Sequence, residues 1–158
     1  MKVFILLFFS ILLLNANTIN FQEKRYIDAI GQTILKKGKI EFLENQTILS
    51  YNNFQKSLIE KEGELFVKEG KTIQKLDSSN KEILKVVFLL INTIYKDNFT
   101  LLDEFFTDDF KENIHRLTPK TLLNDYIEYV EFKKSKKLDF ITIVMKNQDT
   151  ITIEQSDD

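Results

Sequence analysis

The sequence predicts an α+β protein. One strongly curved antiparallel sheet is expected, with a helix at its N-terminal side and a second, very apolar helix covering its concave face. Three observations carry this. Most of the chain is built of segments of four to eight residues rich in Ile, Phe, Val, Thr and Tyr, separated by Gly, Asn, Asp and Lys. The connections between them are short, as sequential antiparallel pairing requires. One stretch, Glu82 to Tyr95, is too long and too apolar to be another strand of this kind.

The elements follow in order. Residues 20–35 place Phe21, Tyr26, Ile27 and Ile30 at helical spacing, with Gln22, Glu23, Lys24 and Asp28 outside, and predict an amphipathic helix. Gly38 punctuates. Lys39-Ile40-Glu41-Phe42 then alternates as a half-buried strand does. Ile48 to Tyr51 reads as a second strand. Ser57 to Lys61 and Glu64 to Lys68 read as a third and fourth around a Glu62-Gly63 turn, and Lys71 to Leu76 follows Gly70. Ser78-Ser79-Asn80 breaks the sheet. In Glu82 to Tyr95, Ile83, Val87, Leu90, Ile91 and Ile94 share one helical face, and Val86, Phe88 and Leu89 widen it. A helix apolar on most sides must be buried on most sides. A shorter helix is expected over Thr100 to Phe106. Strands are expected over 108–118, 126–133, 138–146 and 149–155, with Pro119 between strands where its missing N–H does no harm.

Composition narrows function. Of 158 residues, 43% are hydrophobic and 29% charged, with a net charge of −2. This is globular composition without the basic surplus of a nucleic-acid binder. The chain has no cysteine and one histidine, His115. Disulfides, iron–sulfur clusters, Cys-based zinc sites and thiol nucleophiles are excluded. No catalytic residue, metal site or cofactor is expected. The acidic run Glu60, Glu62 and Glu64, and the pairs Asp103-Glu104 and Asp108-Asp109, lack calcium-loop spacing and read as solvated. Lys133-Lys134 with Lys136-Lys137 reads as a solvated turn, with an acidic partner or lipid headgroups as the sharper possibility. Fourteen phenylalanines without a tryptophan give the chain much bulky apolar surface to bury.

Lys2 precedes the uncharged run Val3–Leu14, and Asn15-Ala16-Asn17 follows. That run fits the apolar region of a secretory signal and is short for a membrane span. Residues 1–16 are therefore expected to be a signal peptide and 17–158 a single exported domain. An uncleaved anchor is the rival.

Several spaced features are similar to the periplasmic outer-membrane lipoprotein carriers, the LolA-like family. Phe21-Gln22-Glu23-Lys24 leading into Lys37-Gly38-Lys39-Ile40-Glu41-Phe42 resembles the family's opening. Ile48 to Tyr51 resembles its apolar-aromatic strand, and Lys68-Glu69-Gly70-Lys71-Thr72-Ile73 its next hairpin. His115-Arg116-Leu117-Thr118-Pro119-Lys120 resembles its Leu-x-Pro-Lys segment, and Leu138 to Ile153 its closing strands. The family's Arg-Pro pair after the first strand is absent; Glu44-Asn45 stand nearest.

The resemblance implies an open, unclosed β-barrel lidded by helices over an apolar cavity, and a monomeric periplasmic carrier of lipoprotein acyl chains or another lipid. An inner-membrane releasing complex and an outer-membrane acceptor are its implied partners. Candidate cavity-lining residues are Phe42, Leu49, Tyr51, Phe66, Ile73, Val87, Leu90, Ile91, Phe140 and Ile153. The helix at 82–95 would compete with cargo for the cavity. Two other functions fit the same sequence. One is a non-enzymatic protein-binding or regulatory domain on the same fold. The other is a small hydrolase hanging on His115.

Overall fold

A computed structural model describes residues 17–53, 55–77 and 81–157. The expected signal segment, residues 1–16, lies outside the described residues. The strands are β1 (Asn17–Ile27), β2 (Gln32–Phe42), β3 (Gln46–Tyr51), β4 (Lys56–Lys61), β5 (Glu64–Glu69) and β6 (Thr72–Lys75). After the helix α1 (Lys81–Tyr95) come β7 (Phe106–Lys111), β8 (Ile114–Pro119), β9 (Ile127–Lys134), β10 (Leu138–Met145) and β11 (Thr150–Ser156).

All eleven strands belong to one antiparallel sheet in the order β6-β5-β4-β3-β2-β1-β11-β10-β9-β8-β7. Two meanders are thus joined at the middle by the first and last strands, which pair from Asn20↔Ser156 to Tyr26↔Thr150. No pairing joins β6 to β7 among the described residues, so the sheet is open. The chain crosses from one edge to the other through α1.

The expected N-terminal helix is not formed. Residues 20–35 belong to the β1–β2 hairpin, turned through a short 3-10 segment Asp28–Ile30 that ends on Gly31 with φ 60°. The cause is the central place of β1, whose backbone groups are paired on both sides, to β2 and to β11. That pairing outweighs a local helical pattern. The short helix expected over Thr100 to Phe106 is a 3-10 turn, Phe99–Leu102, and Phe106 already starts β7. The single strand expected over 108–118 is a hairpin. Glu112 and Asn113 both take positive φ, 53° and 63°, the backbone of a type I′ turn.

Alternation along each strand sends one set of side chains to a common face. On β2, Gly38, Ile40 and Phe42 are buried while Lys37 and Lys39 are exposed. On β9 and β10, Val130, Phe132, Ile141 and Ile143 are almost fully buried on the same face. α1 lies against it and buries Val86, Val87, Phe88, Leu90, Ile91, Thr93 and Ile94. Sheet and helix form one continuous core. A sheet this wide cannot fill its own concavity with side chains from one layer, so a helix apolar on most sides completes the packing.

Candidate functional site

The concave face is where the sequence placed a ligand cavity. Phe42, Leu49 and Ile153 point into it, and Val87, Leu90 and Ile91 meet them from α1, all of them buried. Tyr51 faces the same way at the rim of this core. Phe66, Ile73 and Phe140 lie on the opposite face. Phe66 pairs with Ile59, while its neighbour Leu65 turns inward and is buried. Ile73 pairs with Lys68 on that outer face and is 58% exposed. Phe140 follows a register shift between Leu138 and Phe140, and Ile141 takes the inward place.

α1 occupies the middle of the concavity. A cavity of about 500 Å³ lies along its flank, lined by Val86, Leu89, Leu101, Phe105 and Leu123, with Glu60, Asn92, Asn98 and Lys96 toward its polar parts. Leu101 and Phe105 are 47% and 38% exposed, so the groove opens to solvent between α1 and the segment leading into β7. Sequence reasoning missed these residues. The signal was present in Leu89, which widens the apolar face of the helix beyond what one packed face needs.

Polar contacts pin the helix in place. Thr47 Oγ1 on β3 donates to Asn92 Oδ1 at 2.6 Å, and Asn92 Nδ2 donates to Glu60 Oε2 on β4 at 3.4 Å. Glu60 Oε1 accepts from the Gly63 N–H at 2.8 Å. At the other end Lys134 Nζ donates to the carbonyls of Ile94 and Tyr95, at 2.9 and 3.3 Å. These carbonyls carry the negative end of the helix dipole, which an ammonium stabilises. Thr93 Oγ1 is buried on the groove side without a hydrogen-bond partner among the described residues.

Two further clusters involve titratable groups. Glu23 is 3% exposed on the concave face of β1. It accepts a hydrogen bond from Tyr51 Oη and lies 3.2 Å from Arg25 Nη2. Burial first, then the charge of Glu23 and the hydrogen bond to it, push the Tyr51 hydroxyl well above the ordinary tyrosine range. On β8, His115 Nδ1 lies 2.7 Å from Asp108 Oδ2. The imidazole stacks on Phe132, with ring centres 4.4 Å apart and planes 2° from parallel, and touches Phe110 at 4.4 Å. The ring is held as a packing element of an aromatic cluster.

Among the described residues no group of three or more His, Cys, Asp or Glu side chains is placed to hold a metal ion. No helix among them is long and apolar enough to cross a membrane.

No family model matches the chain, and no curated protein matches it. Solved structures do. A LolA superfamily protein from Nitrosomonas europaea aligns over 91% of this chain and 85% of its own, with 9% identity and a TM-score of 0.47. A putative outer membrane lipoprotein-sorting protein domain from Vibrio parahaemolyticus aligns over 89% of this chain and 83% of its own, with 7% identity and a TM-score of 0.49. In fold, the chain is similar to both.

Proposed function

We propose that the exported domain, residues 17–158, carries the acyl chains of a lipoprotein or a related amphiphile through the periplasm toward the outer membrane. One observation carries this reading. An apolar helix fills the concave face of a sheet that does not close, and an open apolar groove of about 500 Å³ runs beside it.

The physics suits reversible carriage. Each methylene taken out of water contributes about 0.8 kcal/mol, so an ordered acyl chain binds any dry groove of the right size. A carrier must also release. α1 occupies the space that a longer or second chain would need, so cargo and helix compete for the same sheet face. That competition weakens binding by the free energy needed to shift the helix. The contacts of Asn92 and Lys134 set part of this cost. No bond is made or broken in the cargo, so the role is that of a binding protein, not an enzyme.

The protein-binding reading rests on the edge strand β6, whose four residues are all exposed. An exposed edge offers main-chain groups to an added strand. Displacement of an environment-sensitive fluorophore separates the two. A carrier takes up the dye and loses it to a diacyl lipopeptide. A protein-binding domain with a closed core takes up neither.

A further inference from the structure

A second cavity, of about 320 Å³, shares no lining residue with the groove. Ile19, Phe42, Ile91, Ile94 and Leu138 form its apolar walls, where the Phe42 and Tyr95 rings stack 3.8 Å apart, and Gln155, whose Oε1 accepts from the Leu138 N–H, lies among its polar lining. Lys134, Lys136 and Lys137 line it from the end of β9 and the turn into β10. An apolar pit with a lysine rim fits a ligand with one greasy end and one anionic end.

The three lysines are not equivalent. Lys134 is engaged by the Ile94 and Tyr95 carbonyls and by Asp97, 2.7 Å away. It offsets the negative helix end, which would otherwise repel an anion. Lys137 holds both carboxylate oxygens of Asp157 at 2.7 Å. Asp157 lies beyond the end of β11 with its side chain 84% exposed. Lys136 is exposed and has no ion pair among the described residues. The rim therefore already holds a carboxylate, that of the exposed Asp157 just beyond β11.

We infer that this cavity takes a single-chain anionic amphiphile, whose carboxylate or phosphate head displaces Asp157 from Lys137 and gains Lys136, while its first methylenes enter the pit. This deepens the carrier reading by adding a head-group site, and it rests on that reading only for the class of ligand.

Calorimetry below the micellar range tests it, with dodecanoate, dodecyltrimethylammonium and inorganic phosphate as probes. Dodecanoate is expected to fill one lysine-dependent site per chain, apart from any uptake by the groove, and at that site to bind at least tenfold more tightly than the cationic probe of equal chain length or phosphate alone. Lys136→Gln with Lys137→Gln weakens it at least tenfold, and Asp157→Asn strengthens it several-fold, because the internal competitor is gone. Leu89→Gln with Leu101→Gln, in the other groove, leaves it unchanged. Phosphate binding as tightly as dodecanoate would reduce the rim to a simple anion site and overturn the inference. So would dodecanoate binding that ignores Lys136, Lys137 and Asp157, or that is lost with the groove variant. Lipopeptide uptake without dodecanoate binding overturns the head-group site and leaves the carrier standing. Lysine-dependent dodecanoate binding without lipopeptide uptake does the reverse.

Discussion

Tyr51 on β3 donates its hydroxyl proton to Glu23 on β1, reaching across β2 to a carboxylate buried on the concave face, at 2.5 Å. Gly38, opposite both Phe21 and Tyr51 in register, puts no side chain between those two rings, and the Tyr51 hydroxyl extends to Glu23, two residues along β1 from Phe21. The Phe21 and Tyr51 rings meet edge to face, 5.6 Å apart. Sequence, packing and electrostatics converge on this one point of the sheet.

Its pH dependence has a definite sign. Tyr51 in the fold holds its proton more tightly than a free tyrosine. Its contribution to stability is fully present below the ordinary tyrosine value of about 10 and is lost as pH climbs above it. Tyr51→Phe removes a hydrogen-bond donor from the buried Glu23, leaving its Arg25 ion pair, and is expected to cost about 1–3 kcal/mol near neutral pH. The same variant abolishes this residue's share of the alkaline loss. Urea midpoints at neutral pH and at about pH 11 check both.

Gly38 is a packing requirement. A Cβ there would lie 2.2 Å from the Ser50 carbonyl oxygen and 2.7 Å from the Phe21 ring. Gly38→Ala must displace a strand or the ring, and overpacking of this kind costs about 1–3 kcal/mol. Gly63→Ala is a contrasting control, because nothing lies within 4 Å of its added Cβ and only its φ of 80° opposes the change. Thermal unfolding of Gly38→Ala is expected to stay cooperative at a lower midpoint.

Asn92 ties α1 to β3 and β4. Asn92→Ala removes that tie, leaves the buried Thr47 hydroxyl without its acceptor, and is expected to destabilise the empty protein by about 1–3 kcal/mol. If the helix competes with cargo, the same variant binds a diacyl lipopeptide more tightly, because less work is needed to move α1. Loss of stability with unchanged or weaker binding would contradict the competition.

The groove makes its own prediction. Leu89 is half-buried and Leu101 about half exposed, so Leu89→Gln with Leu101→Gln is expected to leave the fold intact. Each side chain that a ligand covers contributes up to about 1.5–3 kcal/mol. The double variant is therefore expected to lose about tenfold or more in dye affinity, at an unfolding midpoint close to that of the parent.

The single antiparallel sheet and α1 were legible because both rest on long, repeated patterns; that the sheet stays open was implied only by the family resemblance. α1 was expected over 82–95 and spans Lys81–Tyr95. β1 was misread for a physical reason. Its inward positions include Glu23 and Arg25 beside Ile19 and Phe21, and charged residues on the buried face erase the period of two. Only the fold reveals Tyr51 and Arg25 as partners that make Glu23 tolerable there. The turn at Glu112-Asn113 hid itself because neither residue is glycine, whereas Glu62-Gly63, with similar positive φ, was read correctly. Phe66 and Phe140 were expected on the inner face but lie on the outer one. Leu65-Phe66-Val67 is apolar throughout and a register shift precedes Phe140, so the sequence pattern leaves the facing open. In neither place does alternation in the sequence say which residue turns inward. The groove between α1, Leu101 and Phe105 depends on where the sheet fails to close, which local patterns do not encode.

The most direct measurement is native mass spectrometry of the protein purified after export, with lipid analysis of the same sample once denatured. The carrier account predicts a mass increment of one acyl-bearing molecule per chain, released on denaturation and reduced in the Leu89→Gln/Leu101→Gln variant. A ligand-free protein that also takes up no lipopeptide when it is offered would contradict the account, and would leave α1 as ordinary core beneath a protein-binding edge.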